Sequence, residues 1–267
     1  MLLQETLFTS KGLFVLYLVI VCLAWVVMTC FVEEVPLPPN SDNSYAVASD
    51  GPVSPGAQFK LAQRNGMRRL TAVLEFTFTD PQALAMTPLS ITFGFAAVFM
   101  ATYVDLRTVS DEIGEYAIGY CGSIQTGTIA IISLPLARLA TSCGKSVVLA
   151  LGTICYILMT VPYILYNNQE IGHWRYVAPL FVTYGGARII WESTLKAIYA
   201  DFFTGQDAIS VAFANLGFVF GLSASIYSLV LVHLDREGLA LMILIPSLLI
   251  LPGYLAALLV FRKSRPH

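Results

Sequence analysis

Apolar residues run through this chain in long unbroken stretches, not in the three-to-four-residue rhythm of a helix that hides one face from water. Seven stretches approach or exceed the roughly 20 residues that a bilayer crossing needs. They extend from Gly12 to Val32, Leu84 to Val104, Tyr116 to Leu136, Val147 to Tyr166, Tyr176 to Tyr199, Ala208 to Val232 and Gly238 to Phe261. Six of the seven contain no Asp, Glu, Lys or Arg. Strands could span a membrane only as a closed barrel with alternating residues, and these runs do not alternate. The pattern predicts an all-α, polytopic membrane helix bundle of about seven spans.

The first run is longer than the apolar core of a signal peptide. Glu33, Glu34, Val35 and Pro36 follow it where a small-residue cleavage site would stand, so it reads as a true span. A polar stretch from Glu33 to Ala83 then divides the chain. Five prolines between Pro36 and Pro55, with Asn40, Asp42, Asn43 and Asp50, predict disorder for its first part. From Gln58 to Phe78 the character changes. Apolar Phe59, Leu61, Met67, Leu70, Val73 and Leu74 interleave with Lys60, Arg64, Arg68 and Arg69. That pattern fits a basic amphipathic helix on a lipid surface, or an ordinary connector helix. The organisation is thus an amino-terminal span (1–32), a cytosolic loop (33–83), a six-helix bundle (84–262) and a short tail (263–267).

Composition agrees with lipid as the main solvent. Of 267 residues, 57% are hydrophobic and only 12% charged, with mean hydropathy +0.72. A water-facing globular surface carries about twice that share of charge. The net charge of −2 identifies no partner class, and no basic domain points to nucleic acid. Cys22, Cys30, Cys121, Cys143 and Cys155 follow no metal-ligating or disulfide spacing and read as small packing residues.

Lys and Arg placement predicts sidedness. With the amino terminus outside, ten basic residues fall on the inner side, among them Arg138, Lys145 and Arg262. Four fall outside: Lys11, Arg107, Arg175 and Arg236. Positive charge stays cytoplasmic, so the carboxy terminus is expected in the cytosol. Trp174, Tyr176, Tyr163 and Tyr166 would then form an aromatic belt at the outer interface.

Ionised groups inside a span are costly and call for a reason. Arg188, Glu192 and Lys196 recur every four residues in the fifth run, which puts them on one helical face. They form either a polar face towards a cavity or partner helix, or a self-neutralising network with Lys196 reaching the interface. Gln125 and Asn215 are candidates for hydrogen bonds between helices. Asp105 reads as a solvated residue at a span end. Gly119 and Gly122, like Gly185 and Gly186, read as sites of close helix approach. No catalytic residue, metal site or cofactor motif is apparent: HExxH, GxSxG and the P-loop are all missing, and no paired aspartates lie mid-span.

The segment Leu139 to Lys145 occupies the place of the short basic, Gly-containing loop of major facilitator transporters, without that loop's acidic residue or second Gly. The run from Gly185 to Phe203, with Trp191 and Tyr199, is followed by Ala212-Phe213-Ala214-Asn215. It resembles the tenth and eleventh spans of the Unc-ninety-three-like family of the major facilitator superfamily. Asp80-Pro81 ahead of Thr87-Pro88-Leu89, and Gly119-Tyr120, suit the same family. Glu192 and Lys196 depart from its usual residues. The resemblance covers about Phe59 to Phe261 and implies spans six to twelve of a twelve-span fold.

That resemblance implies a non-enzymatic regulator or trafficking partner of an ion channel or receptor, in the plasma membrane or an endomembrane. It needs either a membrane-protein partner or a missing amino-terminal half. The alternatives are a solute or ion transporter that needs a second half, and a seven-span receptor. The last lacks Asp-Arg-Tyr after the third span and Asn-Pro-x-x-Tyr in the seventh.

Overall fold

The computed structural model describes residues 71, 73–203 and 206–264, all within the compact unit Gln58–His267. The first predicted span, the polar loop as far as residue 70 with Lys60, Arg64, Arg68 and Arg69, and the last residues of the tail lie outside the described residues. The described part is helical throughout, so the chain is an all-α bundle. Five helical stretches among the described residues, the last running from Arg236 to Arg262, are long and apolar enough to cross a membrane, which makes this an integral membrane protein.

Helix α1 (Pro81–Glu112) starts where the sequence marks a start. The Asp80 carboxylate accepts from the backbone N–H groups of Gln82 and Ala83 at 2.8 and 3.0 Å, and Pro81 occupies the first turn. The predicted span ended at Val104, but the helix continues through Asp105 and Arg107 to Glu112. A turn at Gly114 (φ 119°) reverses the chain into α2 (Tyr116–Ser142). Gly144 (φ 91°) reverses it again into α3 (Lys145–Leu165). Both glycines hold a backbone region that side chains disfavour.

The short α4 (Asn168–Ile171) is closed by a capping box between Asn167 and Glu170. Helix α5 covers 174–202, and Arg188 and Glu192 inside it keep it out of the strongly apolar set. Helix α6 (Gln206–Val230) runs from the end at which α5 finishes back to the end at which α5 began. The seventh predicted span is two helices, α7 (Arg236–Leu248) and α8 (Ile250–Ser264), divided at Leu249 just after Pro246.

Helix α1 is the hub. It packs on α6, α8 and α7, while α2 lies against α5, and α3 against α7 and α5. Three glycines set the closest crossings. A Cβ on Gly94 would stand 2.9 Å from the Phe220 carbonyl oxygen of α6, one on Gly185 2.8 Å from the Gln125 carbonyl oxygen of α2, and one on Gly253 2.3 Å from the Ala85 carbonyl oxygen. Gly119 and Gly122 behave otherwise: an added Cβ would meet nothing within 4 Å. Their face of α2 points away from the bundle, so they are not the close-packing glycines they were expected to be.

Basic residues separate by end. Arg138, Lys145 and Arg262 lie at the end where α2 turns into α3; Arg107, Arg175 and Arg236 lie at the other. Trp174, Tyr176 and Tyr166 are exposed at that second end, joined by Tyr116 and Tyr120. Tyr163 is not part of this belt. It is fully buried, its ring edge-on to Phe99 at 5.0 Å and its hydroxyl 3.4 Å from that of Thr108.

Candidate functional site

Two stretches of the bundle wind in wide π-helical turns: Phe99–Val109 in α1 and Ile190–Leu195 in α5. Such turns are uncommon and frequently mark functional sites, because they re-aim side chains without ending the helix. Here the two stretches border one cavity of about 390 Å3 between α1, α2, α5 and α6.

The close crossings decide what lines it. At Gly94 α1 and α6 touch, bringing Phe93 and Phe220 to within 5.2 Å of each other, ring to ring. Trp191 of α5 lies flat on Phe93 at 4.1 Å and 5.4 Å from Phe220. These three rings form an aromatic wall worth more than its buried area alone. At Gly185 α5 touches α2, which seats Gln125 beside the helix that carries Arg188. Ala97, Met100 and Ala101 complete the α1 side, and Asp105 closes it.

The cavity's charged groups are Arg188, Glu192 and Asp105. The Arg188 Nε donates to Glu192 Oε1 at 2.8 Å, and the two side chains remain 40% and 33% exposed. Asp105 Oδ1 is buried with no hydrogen-bond partner, as is Trp191 Nε1. An ionised carboxylate only accepts hydrogen bonds and an indole N–H only donates them; both side chains line the cavity, while these two atoms themselves are packed away from its open space. One positive and two negative groups leave the lining one negative charge in excess.

Of the residues singled out in the sequence, Gln125, Arg188, Trp191 and Glu192 come together here. Lys196 does not. It follows the wide-turn stretch, is exposed, and holds its ammonium 5.6 Å from the Trp191 ring centre. The even four-residue spacing implied one continuous face, but the wider turns of Ile190–Leu195 change the register between Glu192 and Lys196. Asn215 lies deeper towards the opposite end, 1% exposed. Its Oδ1 accepts the Thr77 hydroxyl at 2.6 Å, and its side chain also bonds Tyr199. Phe213 is on the surface. So are Gly119 and Tyr120, the Tyr120 ring standing 6.4 Å from Trp174.

Asp105 is the residue that sequence reasoning placed wrongly. Read as a solvated span end, it faces the cavity because α1 runs on beyond it. The available signal was its position directly after twenty-four residues without a charge, where an acid is expensive. No three His, Cys, Asp or Glu among the described residues gather as a metal site would require.

No protein-family model, curated protein or solved structure matches this chain.

Proposed function

We propose that this chain is a multi-pass membrane protein of the Unc-ninety-three-like kind, a non-enzymatic partner that regulates or delivers an ion channel or receptor. Its carboxy terminus is cytosolic in this reading, on the side of Arg138, Lys145 and Arg262. The observation that carries the proposal is the Arg188–Glu192 pair, a third or more exposed in the middle of a bundle helix. The pair lines a cavity that is open on one side; hydrocarbon entering there would cost a few kcal/mol or more, so a polar surface of another membrane protein is a natural cover for the opening. The resemblance through Gly185 to Phe203 and Ala212 to Asn215 supports the same reading.

A second reading has its own support. A charged cavity flanked by two irregular helix stretches is how facilitator-type transporters build a midplane site, with a second half as the other wall. The two are separated by placing a photo-crosslinking residue at exposed Ser193, beside the pair. The partner reading expects one discrete adduct with a channel or receptor whose surface level or current changes when this chain is depleted. It also expects purified chain in proteoliposomes to move no solute. Solute flux that Glu192→Gln abolishes, without loss of expression, would replace it with the transporter reading.

A further inference from the structure

We infer that the cavity between α1 and α5 is a binding site for a small organic monocation, an arylalkyl ammonium, with its head at Asp105 and its body along the Phe93–Trp191–Phe220 wall. This does not rest on the partner reading: it follows from the lining alone.

Charge comes first. Within the enclosure Arg188 is already engaged by Glu192 at 2.8 Å, so the uncompensated group is the Asp105 carboxylate. Its Oδ1 is buried and accepts nothing. A half-buried carboxylate with one oxygen already packed without a partner is costly to leave uncompensated, and a ligand ammonium at the side of Asp105 that lines the cavity supplies the countercharge and a charge-assisted hydrogen bond. An anionic head at this end of the cavity would face the unpaired Asp105 carboxylate, and a neutral one would leave Asp105 uncompensated.

Shape and surface narrow the class. Phe93 lies twelve residues before Asp105 on the same helix, so the aromatic wall and the carboxylate sit at different depths. Small side chains, Ala97 and Ala101, stand between them. The ligand is therefore elongated, polar at one end and apolar at the other. Aromatic faces receive alkyl and aryl bodies, and they also attract cations. The Trp191 ring already has the Lys196 ammonium 5.6 Å from its centre. A volume of about 390 Å3 lies within the range of small-molecule sites. A divalent metal is a poor fit, since no three acidic, His or Cys side chains converge among the described residues.

The test uses the full chain in nanodiscs, with protein-free nanodiscs correcting for partition into lipid. Phenylbutylammonium, phenylbutanol and phenylvalerate share one body and differ in head charge. The expected result is saturable binding of the ammonium alone, read by calorimetry and by quenching of tryptophan fluorescence. Asp105→Asn should weaken it at least tenfold, Asp105→Glu should keep it within a fewfold, and Trp191→Phe should lose most of the quenching. If Asp105→Asn fails to fold, Ala97→Leu provides the test, because it fills the cavity with the carboxylate intact and should block binding. Equal binding of all three probes would overturn the inference. So would preference for phenylvalerate, no saturable ammonium binding, or affinity unchanged in Asp105→Asn or in Ala97→Leu.

Discussion

The indole of Trp191 lies 14° from parallel with the ring of Phe93, their centres 4.1 Å apart, and this stack ties α5 to α1 beside the cavity. It is the closest of the aromatic contacts among the described residues, and Phe220 backs it from α6. In lipid, helices gain little from hiding apolar surface from one another, so shape-matched contacts such as this one hold the bundle together.

Trp191→Ala should therefore loosen three helices at once, with a loss of about 2–4 kcal/mol for a large ring removed from a packed site. Trp191→Phe should retain most of the stack. Unfolding midpoints of purified protein in detergent, with Ala well below Phe, check this.

Glycine positions separate sharply. Gly253→Ala and Gly185→Ala drive a methyl against a backbone oxygen that cannot move aside, at 2.3 and 2.8 Å. Each should cost about 1–3 kcal/mol and lower the yield of monodisperse protein. Gly122→Ala meets open space and should leave elution and melting unchanged. A loss at Gly122 equal to that at Gly253 would mean that its face of α2 is packed after all.

The apolar runs were legible because lipid leaves the backbone no choice: a chain that cannot bond to water must bond to itself, and length alone then marks each helix. Depth and direction were not legible. Asp105 was read from where its run stopped, yet the helix continued, because Arg107, Asp111 and Glu112 at the end of α1 are compatible with helix beyond the hydrocarbon. Lys196 was read from an even spacing that ideal turns would preserve and the wide turns of Ile190–Leu195 do not. Tyr163 was read as an interface ring from its place near a span end, though Phe99 and Thr108 of α1 enclose it. Gly185 and Gly119 look alike in a sequence; only the crossing of α5 on α2 distinguishes them.

Asn215 binds Thr77 at 2.6 Å and is almost wholly buried, but the Thr77 hydroxyl also lies 2.7 Å from the Val73 carbonyl. Asn215→Ala thus leaves Thr77 satisfied but strips the buried Tyr199 hydroxyl of its Asn215 bond, and the loss should be about 1–3 kcal/mol. Asn215→Ala with Thr77→Val should lose no more than the two single changes together, which a double-mutant cycle in detergent measures.

Lys145 reaches across from the start of α3 to Asp201, with its ammonium also donating to the Ala197 carbonyl at 3.1 Å. Asp201 is 59% exposed, so water and salt screen the pair. Asp201→Asn should shift stability by about 0–1 kcal/mol. The shift should shrink further in high salt, which melting curves at two ionic strengths would reveal.

Eleven consecutive residues of α1, Phe99–Val109, wind more loosely than an α-helix, and that winding sets where the residues beyond it point. Deleting one residue there and tightening the backbone to ordinary turns would swing everything beyond it by about 100° relative to Phe93. A helix of 32 residues can lose one and still cross a bilayer, but Val104, Thr108 and Val109 are fully buried, so the swing that carried Asp105 away from the cavity would also unpack that end of the helix. In this protein the winding of one helix sets both the direction of its acid and the packing of its far end, so neither can be changed alone.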